Sequence, residues 1–433
     1  MNRLLQLSTY GIKNIENSIV IDFSNATIKN ANKINNVKGI FGYNGAGKSA
    51  LITAVDFYKS IVSDSNFLLQ NDTKKQLEKL INYKKNEFFI SMIFEFEKDI
   101  VIKHSLLIGN NLINNDYSIR EERIELSAGR TLNEKFKDLV VKIGNVVKVD
   151  DDYKEDAGYL FNSDLTYQSL LQPVIKKIIE KSTEKKLNAN PFEKKILILF
   201  TSIIKIDVYL QLSDKHKKYF IGIKELQELF NLSKEKIGDT ILNSENYNIN
   251  DDIIPINEFP KYQINNKKLA KFIQIFKPEL KEIELIPFEN RNVYHVRKLF
   301  VYDDYKVELE FESSGIKQLV NLFTYLERCA NGCISFIDEI DTNINSLYFK
   351  KLISFFKEYG KGQLIFTTHN VEAMNVLKSV SRSIVVLGND NKIDTWVPIG
   401  NKSPINDYMS GKFPNSPMNV EDFDFINIFM GEE

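Results

Sequence analysis

The chain has 433 residues, 43% of them hydrophobic and 27% charged, a length for two or three domains of an ordinary globular protein. Its net charge of −1 excludes a global electrostatic pull toward nucleic acid or anionic membrane and leaves only a local basic patch open. Two cysteines, Cys329 and Cys333, are a poor framework for a disulfide or a zinc site and point to a reducing cytoplasm. Residues 1–6 run directly into strand-like sequence, so no signal peptide is expected. The longest apolar run, 196–204, is about half a membrane span and reads as a buried core helix.

Residues 4–23 read as two strands around a turn, an antiparallel pair. Residues 37–41 can form a short buried strand, and 50–61 carry apolar residues at helical spacing. Between them lies Gly42-Tyr43-Asn44-Gly45-Ala46-Gly47-Lys48-Ser49, which fits the phosphate-loop pattern G-x-x-x-x-G-K-[ST] at every fixed position. Strand, glycine loop and helix are the context that pattern needs. The glycines let backbone N–H groups curl around a triphosphate, and the helix N-terminus adds partial positive charge. Asn44, Gly45, Ala46, Gly47, Lys48 and Ser49 are therefore the candidate nucleotide site. Lys48 would reach the β- and γ-phosphates and Ser49 would ligate Mg²⁺, with ATP or GTP as the ligand.

Residues 65–85 look helical and polar, and 86–126 alternate as a meander of antiparallel strands. From about 150 to 286 the character turns helical. Leu165, Leu170, Leu171, Val174, Ile175, Ile178 and Ile179 recur at helical spacing, with Pro173 expected near a helix start or at a kink. Residues 225–241 repeat the helical signal, and 243–266 read as a polar loop or hinge. No internal repeat or sustained heptad is present. A compact helical insertion is expected rather than a long coiled-coil arm, and a structural lid without chemistry of its own is an equal reading. Strand pattern returns at 293–312, followed by a helix over 315–330. Short apolar strands at 334–337, 363–367 and 383–387 then alternate with helices at 345–358 and 371–379, which implies a parallel core with crossover helices. The fold class is α/β, with antiparallel N-terminal strands, a parallel core and a helical insertion.

Four more elements follow the loop. Asp338-Glu339 ends the apolar strand, as in phosphate-loop ATPases: Asp338 would hold Mg²⁺, and Glu339 would orient or deprotonate the attacking water. Ser313-Ser314-Gly315 opens a helix, where hydroxyls and N–H groups suit either a helix cap or an anion. Asp341 follows the carboxylates and reads on its own as a loop or cap residue. His369, one of four histidines, ends a buried strand at the sheet edge where ligands bind in open α/β sheets, a place for sensing the γ-phosphate.

In this order the motifs resemble those of ABC-type ATPases, in the branch of chromosome-maintenance and double-strand-break-repair ATPase heads rather than membrane transporters. Within it, "LLQLSTYGIKNI", "FESSGIKQL" and "FIDEIDTNINSLYFKKLISFF…GQLIFTTHN" resemble stand-alone bacterial ATPases of phage defence, including AbiL-type and PARIS-type ATPase subunits. The resemblance covers roughly 1–130 and 290–415. It implies an ABC-type P-loop head split into 1–150 and 290–400, with a helical insertion or lid at 151–289 and a tail at 401–433. It implies ATP and Mg²⁺ as cofactors, Lys48 and Ser49 in the loop roles, and Ser313, Ser314 and Gly315 as the signature. Asp338 and Glu339 become the metal and catalytic carboxylates, Asp341 the dimer-loop aspartate and His369 the switch histidine. Two chains would sandwich ATP, so that ATP assembles a homodimer or higher oligomer and hydrolysis releases it. Such an ATPase would control a separately encoded nuclease or toxin on a phage-derived trigger, in abortive infection.

Some positions depart from that pattern. Relatives often carry a histidine shortly after the dimer-loop aspartate, where this chain has Asn345. Phe413 and Pro414 stand where Tyr-Gly is usual. Lys13 falls where relatives carry an arginine near the adenine, and Gln70 is a candidate for the glutamine that links nucleotide to insertion. A DNA-clamping repair or segregation ATPase is the alternative, disfavoured by the missing coiled coil and the near-neutral charge. A nuclease with its own C-terminal catalytic domain is disfavoured because only residues 370–433 follow His369, too few for such a domain. The acidic cluster Glu421-Asp422-Asp424 reads as solvated tail. A transporter ATPase fits the Ser-Ser-Gly phrase poorly.

Overall fold

A computed structural model describes residues 3–23, 36–96, 100–111, 116–127, 135–183, 189–210, 253–388, 391–398, 402–413 and 428–430. The first two strands, β1 (Arg3–Tyr10) and β2 (Ile19–Asp22), pair antiparallel. They are joined by β4 (Glu87–Phe96), β5 (Ile100–Asn111), β6 (Asp116–Ser127), β7 (Phe136–Ile143) and β8 (Val146–Val149). The seven form one antiparallel sheet in the order β2-β1-β4-β5-β6-β7-β8. The expected pair and meander are present, and β7 and β8 extend them.

The second sheet is built on β3 (Val37–Phe41), which is buried along its whole length. β9 (Ile206–Tyr209), β14 (Ile334–Ile337), β15 (Gln363–Thr367), β16 (Ile384–Leu387) and β17 (Ile393–Thr395) complete the order β17-β16-β3-β15-β14-β9. All pairings in it are parallel except β16–β17. Continuous apolar runs rather than alternation suit strands covered on both faces.

Helix α1 (Lys48–Ser63) fills the space between the two sheets, and all of it except Ser49 is buried. It shares the first core with Leu4, Leu7, Phe88, Phe94, Ile124 and Phe336. Its polar residues are satisfied inside that core. Tyr58 Oη lies 2.8 Å from His104 Nδ1, and His104 Nε2 lies 2.9 Å from Glu122, which also accepts from the Leu170 N–H at 2.8 Å. This buried chain fastens α1 to β5 and β6, as a buried polar group requires. Gln363 joins the sheets by accepting from Leu4 N at 2.7 Å and donating to Leu4 O at 3.0 Å.

α2 (Asn71–Leu80) precedes the meander, and α3 (Leu171–Thr183) and α4 (Pro191–Ile204) follow the antiparallel sheet. Asn190 and Glu193 form a reciprocal capping box at the start of α4, and Pro173 falls in the first turn of α3, where it is tolerated. The apolar run 196–204 is a core helix, as expected.

The insertion expected over 151–289 is corrected at both ends. Leu160, Leu165, Leu171, Phe192 and Phe200 are buried in the first core with α1, and β9 is an edge strand of the parallel sheet. Residues 151–210 are thus built into the head. β9 is four residues long and follows an apolar helix without a break, so its periodicity merges with that helix. The expected hinge at 243–266 is corrected where it is described: β10 (Ile253–Pro255) and the start of α5 (Phe259–Phe276) lie there. The helix expected over 225–241 lies outside the described residues.

A separate lobe follows. β10, β11 (Glu282–Asn290), β12 (Val293–Val301) and β13 (Lys306–Glu308) form a four-stranded antiparallel sheet. Its core, with Tyr262, Leu269, Ile273, Val296 and Phe300, continues into Ile316, Leu319 and Phe323 of α6 (Ser314–Ala330). A boundary at 289–290 would cut the β11–β12 hairpin. α7 (Ser346–Tyr359), α8 (Glu372–Leu377) and α9 (Pro404–Met409) complete the larger elements among the described residues. Tyr408 and Phe413 are buried in the core that holds Phe349, Phe366 and Trp396, so residues 402–413 of the expected tail are built into the head. The acidic cluster at 421–424 lies outside the described residues. Among the described residues no helix is long and apolar enough to cross a membrane.

Candidate functional site

The phosphate loop leaves the C-terminal end of β3 and turns into α1. Three of its glycines have left-handed backbones, Gly42 (φ 149°), Gly45 (φ 85°) and Gly47 (φ 104°), a region L-residues avoid. At Gly42 a Cβ would also lie 2.4 Å from Leu387 O, so the adjacent strand β16 fixes the choice. Lys48 folds under the loop and donates to Gly42 O at 2.8 Å and Tyr43 O at 3.0 Å. Burial lowers its pKa to about 8, against the pull of Asp338 and Glu339.

β3, β15 and β14 are neighbours and parallel, so their C-terminal ends bring the loop, His369 and Asp338-Glu339 to one edge. Ser49 Oγ donates to Asp338 Oδ1 at 3.1 Å. Thr367 Oγ1 donates to the same oxygen at 2.6 Å. Glu339 has a left-handed backbone, φ 48°; its N–H donates to Thr367 Oγ1 at 2.8 Å, and its Oε2 accepts from Thr342 Oγ1 at 3.3 Å. His369 is exposed, and its pKa is lowered by partial burial and then by Lys48, with Glu339, Asp341 and Asp338 pulling the other way. Those influences place His369 in the field of the loop lysine and all three carboxylates.

Ser49 and Asp338 supply hard oxygen donors next to the loop, a set that suits Mg²⁺ held by few protein ligands together with phosphate oxygens. Among the described residues there is no group of three or more His, Cys, Asp or Glu side chains that could hold a metal ion.

Ser313 and Ser314 are at the start of α6 and exposed. Ser313 Oγ caps the helix, accepting from Ile316 N at 3.4 Å. Gly315 is pressed against the turn after the carboxylates: a Cβ there would lie 2.7 Å from Asn343 O. The structure therefore brings the Ser-Ser-Gly corner against the turn that carries Asp341. Asn345 caps α7, its side chain accepting from Leu347 N at 2.9 Å, which accounts for asparagine there by local chemistry.

Two further expectations are relocated. Gln70 donates to Asp64 Oδ2 at 2.8 Å, beyond the C-terminal end of α1. That helix's 16 residues separate it from the loop by about 24 Å at ~1.5 Å per residue, so Gln70 does not reach the site. Lys13 Nζ donates to Thr53 Oγ1 of α1 at 3.2 Å and senses Asp338, which places it on the α1 flank of the loop.

Thr367, Thr342, Asn14 and Asn391 belong to the site without having been read from the sequence. Asn14 donates through its side chain to Gly45 O. Asn391 donates to Asn14 O at 3.1 Å and accepts from Glu16 N at 2.8 Å. The turn after β1 is thus buckled between the β16–β17 turn and the phosphate loop. Their signal is spatial; only Thr367, a hydroxyl ending an apolar strand, could have been flagged.

Residues 206–375 match the protein family described as "AAA domain, putative AbiEii toxin, Type IV TA system". A comparison with curated proteins finds no match. Among solved structures, one described as "Crystal structure of the SmcHead bound to the C-winged helix domain of ScpA" is similar at 13% identity and a TM-score of 0.47, over 92% of this chain and 98% of that one. Another, "Structure of the recombination mediator protein RecF-ATP in RecFOR pathway", is similar at 11% identity and a TM-score of 0.39, over the same shares. The matched stretch opens at β9 and closes in α8, and so holds the Ser-Ser-Gly corner, both carboxylates and His369, while the phosphate loop joins it from outside on β3. Residues 206–375 are thus similar to an AAA domain, and they lie in an α/β head of two sheets.

Proposed function

We propose that the chain binds and hydrolyses ATP with Mg²⁺, that ATP assembles two copies, and that this cycle regulates a separately encoded nuclease or toxin in anti-phage defence. The observation that carries the ATP reading is the convergence of Lys48, Ser49, Asp338, Glu339 and His369 on the ends of three adjacent parallel strands. Backbone N–H groups of the loop and Lys48 would bind the β- and γ-phosphates. Glu339 would accept a proton from the attacking water, and His369, largely neutral near pH 7, would hydrogen-bond the γ-phosphate. Mg²⁺, held by Ser49 and Asp338, would offset the charge of the phosphate oxygens. Assembly is supported by the exposure of Ser313 and Ser314 beside the Asp341 turn, and the effector role by the resemblance of the motifs to defence ATPases together with the family match.

Tagged Glu339→Gln chain, purified from its native host with Mg²⁺-ATP, tests the whole reading. It should accumulate as an ATP-bound dimer that carries a stoichiometric small nuclease or toxin. Nuclease-sensitive nucleic acid with no protein partner would replace the effector reading with a DNA- or RNA-clamping ATPase. Unaltered turnover would remove Glu339 from catalysis.

A further inference from the structure

We infer that Thr367 is a positioning residue for both carboxylates, one hydroxyl that sets Asp338 by donating and Glu339 by accepting. The inference rests on the ATPase reading above. A threonine hydroxyl has one proton. The Glu339 N–H can only donate, so at 2.8 Å it occupies a lone pair of Thr367 Oγ1. The hydroxyl proton is thereby committed to Asp338 Oδ1, 2.6 Å away. The alternative roles of the hydroxyl are excluded by its neighbours, and Thr367 itself is fully buried.

Both bonds act on features that need support. Glu339 is held at φ 48°, a left-handed conformation that persists where the surroundings over-determine it, and the bond to Thr367 fixes the peptide that leads into it. Asp338 Oδ1 receives two hydroxyls, from Ser49 and Thr367. Ser49 is the candidate metal ligand and would give its oxygen to Mg²⁺ when the metal is bound. Thr367 is the partner that can stay, keeping Asp338 in place as Ser49 changes partners. Thr367 is also two residues before His369 on the same chain, so one side chain ties the strand end bearing the histidine to the carboxylates.

The test compares wild-type chain with Thr367→Val, which keeps the branched shape without the hydroxyl, and Thr367→Ser, which restores it. Two readouts are taken: steady-state ATP turnover, and affinity for a fluorescent ATP analogue in EDTA and in Mg²⁺. Thr367→Val should leave affinity in EDTA within about twofold, because the loop and Lys48 are untouched. It should lose most of the gain in affinity that Mg²⁺ confers, and its kcat should fall by about 10²-fold with KM little changed, the scale of a small misplacement of reacting groups. Thr367→Ser should recover most of both. Wild-type kcat and wild-type Mg²⁺ enhancement in Thr367→Val would overturn the inference. If wild-type chain showed no turnover at all, the ATPase reading would fail, and the Mg²⁺ enhancement would still decide the role of Thr367. Should Thr367→Val not fold, the serine variant decides it through the same two readouts, since a merely space-filling role predicts a defect from the lost methyl that retained hydrogen bonds would not repair.

Discussion

The two serine-bearing corners of the molecule are finished to different degrees. At the strand ends, Ser49 is hydrogen-bonded to Asp338, Asp338 to Thr367, and Thr367 to the Glu339 backbone; the groups a nucleotide would meet are already held by one another. At the start of α6, Ser313 is engaged by a helix cap and Ser314 is exposed. What is fixed there is the backbone: Gly315 is seated on Asn343 O, and the buried Glu312 accepts from Tyr302 Oη, from Lys277 at 3.2 Å and from Ser313 N at 3.2 Å. The first corner is preorganised as a complete set of side chains, the second as a rigid mount whose side chains face outward. That contrast is what an ATP-assembled dimer would require of each half.

The largest effect should come from breaking the finished corner. Lys48→Ala removes the one ammonium on the phosphate loop and should lower ATP affinity by about 10²-fold or more, the loss expected of a buried charge-assisted contact. Calorimetric titration with Mg²⁺-ATP checks it, and unchanged affinity would separate the glycine loop from nucleotide binding. Next comes the outward corner. Ser314→Arg should leave ATP affinity within about twofold, since α1 and the loop are untouched, yet keep the chain monomeric in ATP by light scattering, because a bulky cation would project from the face that must close. Persistent dimers would refute the sandwich geometry and with it the account of the contrast.

A smaller effect is expected where the mount joins the lobe. Glu312→Gln keeps the size of the side chain but leaves Lys277 and Tyr302 with a neutral partner, for a loss of roughly 1–3 kcal/mol where a buried charged hydrogen bond is weakened. Denaturant unfolding should show that loss, and ATP-dependent assembly should weaken in step, while turnover per bound ATP should change little. If stability fell and assembly did not, the lobe would support the fold without setting the Ser-Ser-Gly corner.

The same contrast governs what could be read from the sequence. The phosphate loop is one contiguous stretch whose glycine spacing is dictated by backbone geometry, so its conformation could be read from Gly42 to Ser49 and a nucleoside triphosphate expected of it. Asp338-Glu339 and His369 each end an apolar strand, and strand ends of a parallel core share an edge, so their convergence follows from topology. Thr367 could be flagged only as a hydroxyl ending an apolar strand; its role depends on β15 lying beside β14, a register the sequence does not encode locally. Asn14 and Asn391 are 377 residues apart and meet only through the folded turns. β9 was hidden by its four residues and by the apolar helix before it, and its omission pushed the insertion boundary far into the head. In the lobe, β12 was legible in the strand pattern at 293–312, whereas β11 is largely exposed toward its end and alternates weakly, so it merged with the helical stretch before it.

The finest prediction concerns protons. Burial lowers Lys48 to about 8, below the ordinary lysine value of 10.5. In the window between those values the folded chain holds less than a full proton there while the unfolded chain is charged. The resulting penalty on folding is therefore complete below pH 8 and is relieved as pH rises through the window. Lys38, Lys59 and Lys142 are lowered to about 8 as well, and burial also lowers Lys13 and Lys205, so a stability profile would mix all of these lysines. Nucleotide binding isolates one. Phosphate oxygens beside Lys48 favour its charged form, raise its pKa on binding and so draw a proton from solvent. At pH 8.5, where His369 is neutral because its pKa lies below the usual histidine value, calorimetry in two buffers of unlike ionisation enthalpy should register uptake of up to about one proton per ATP. Lys48→Arg, whose guanidinium stays charged throughout, should abolish the uptake whatever it does to affinity. No uptake in the wild-type chain would mean that Lys48 is already charged before ATP arrives, and that the finished corner is less dry than its burial implies.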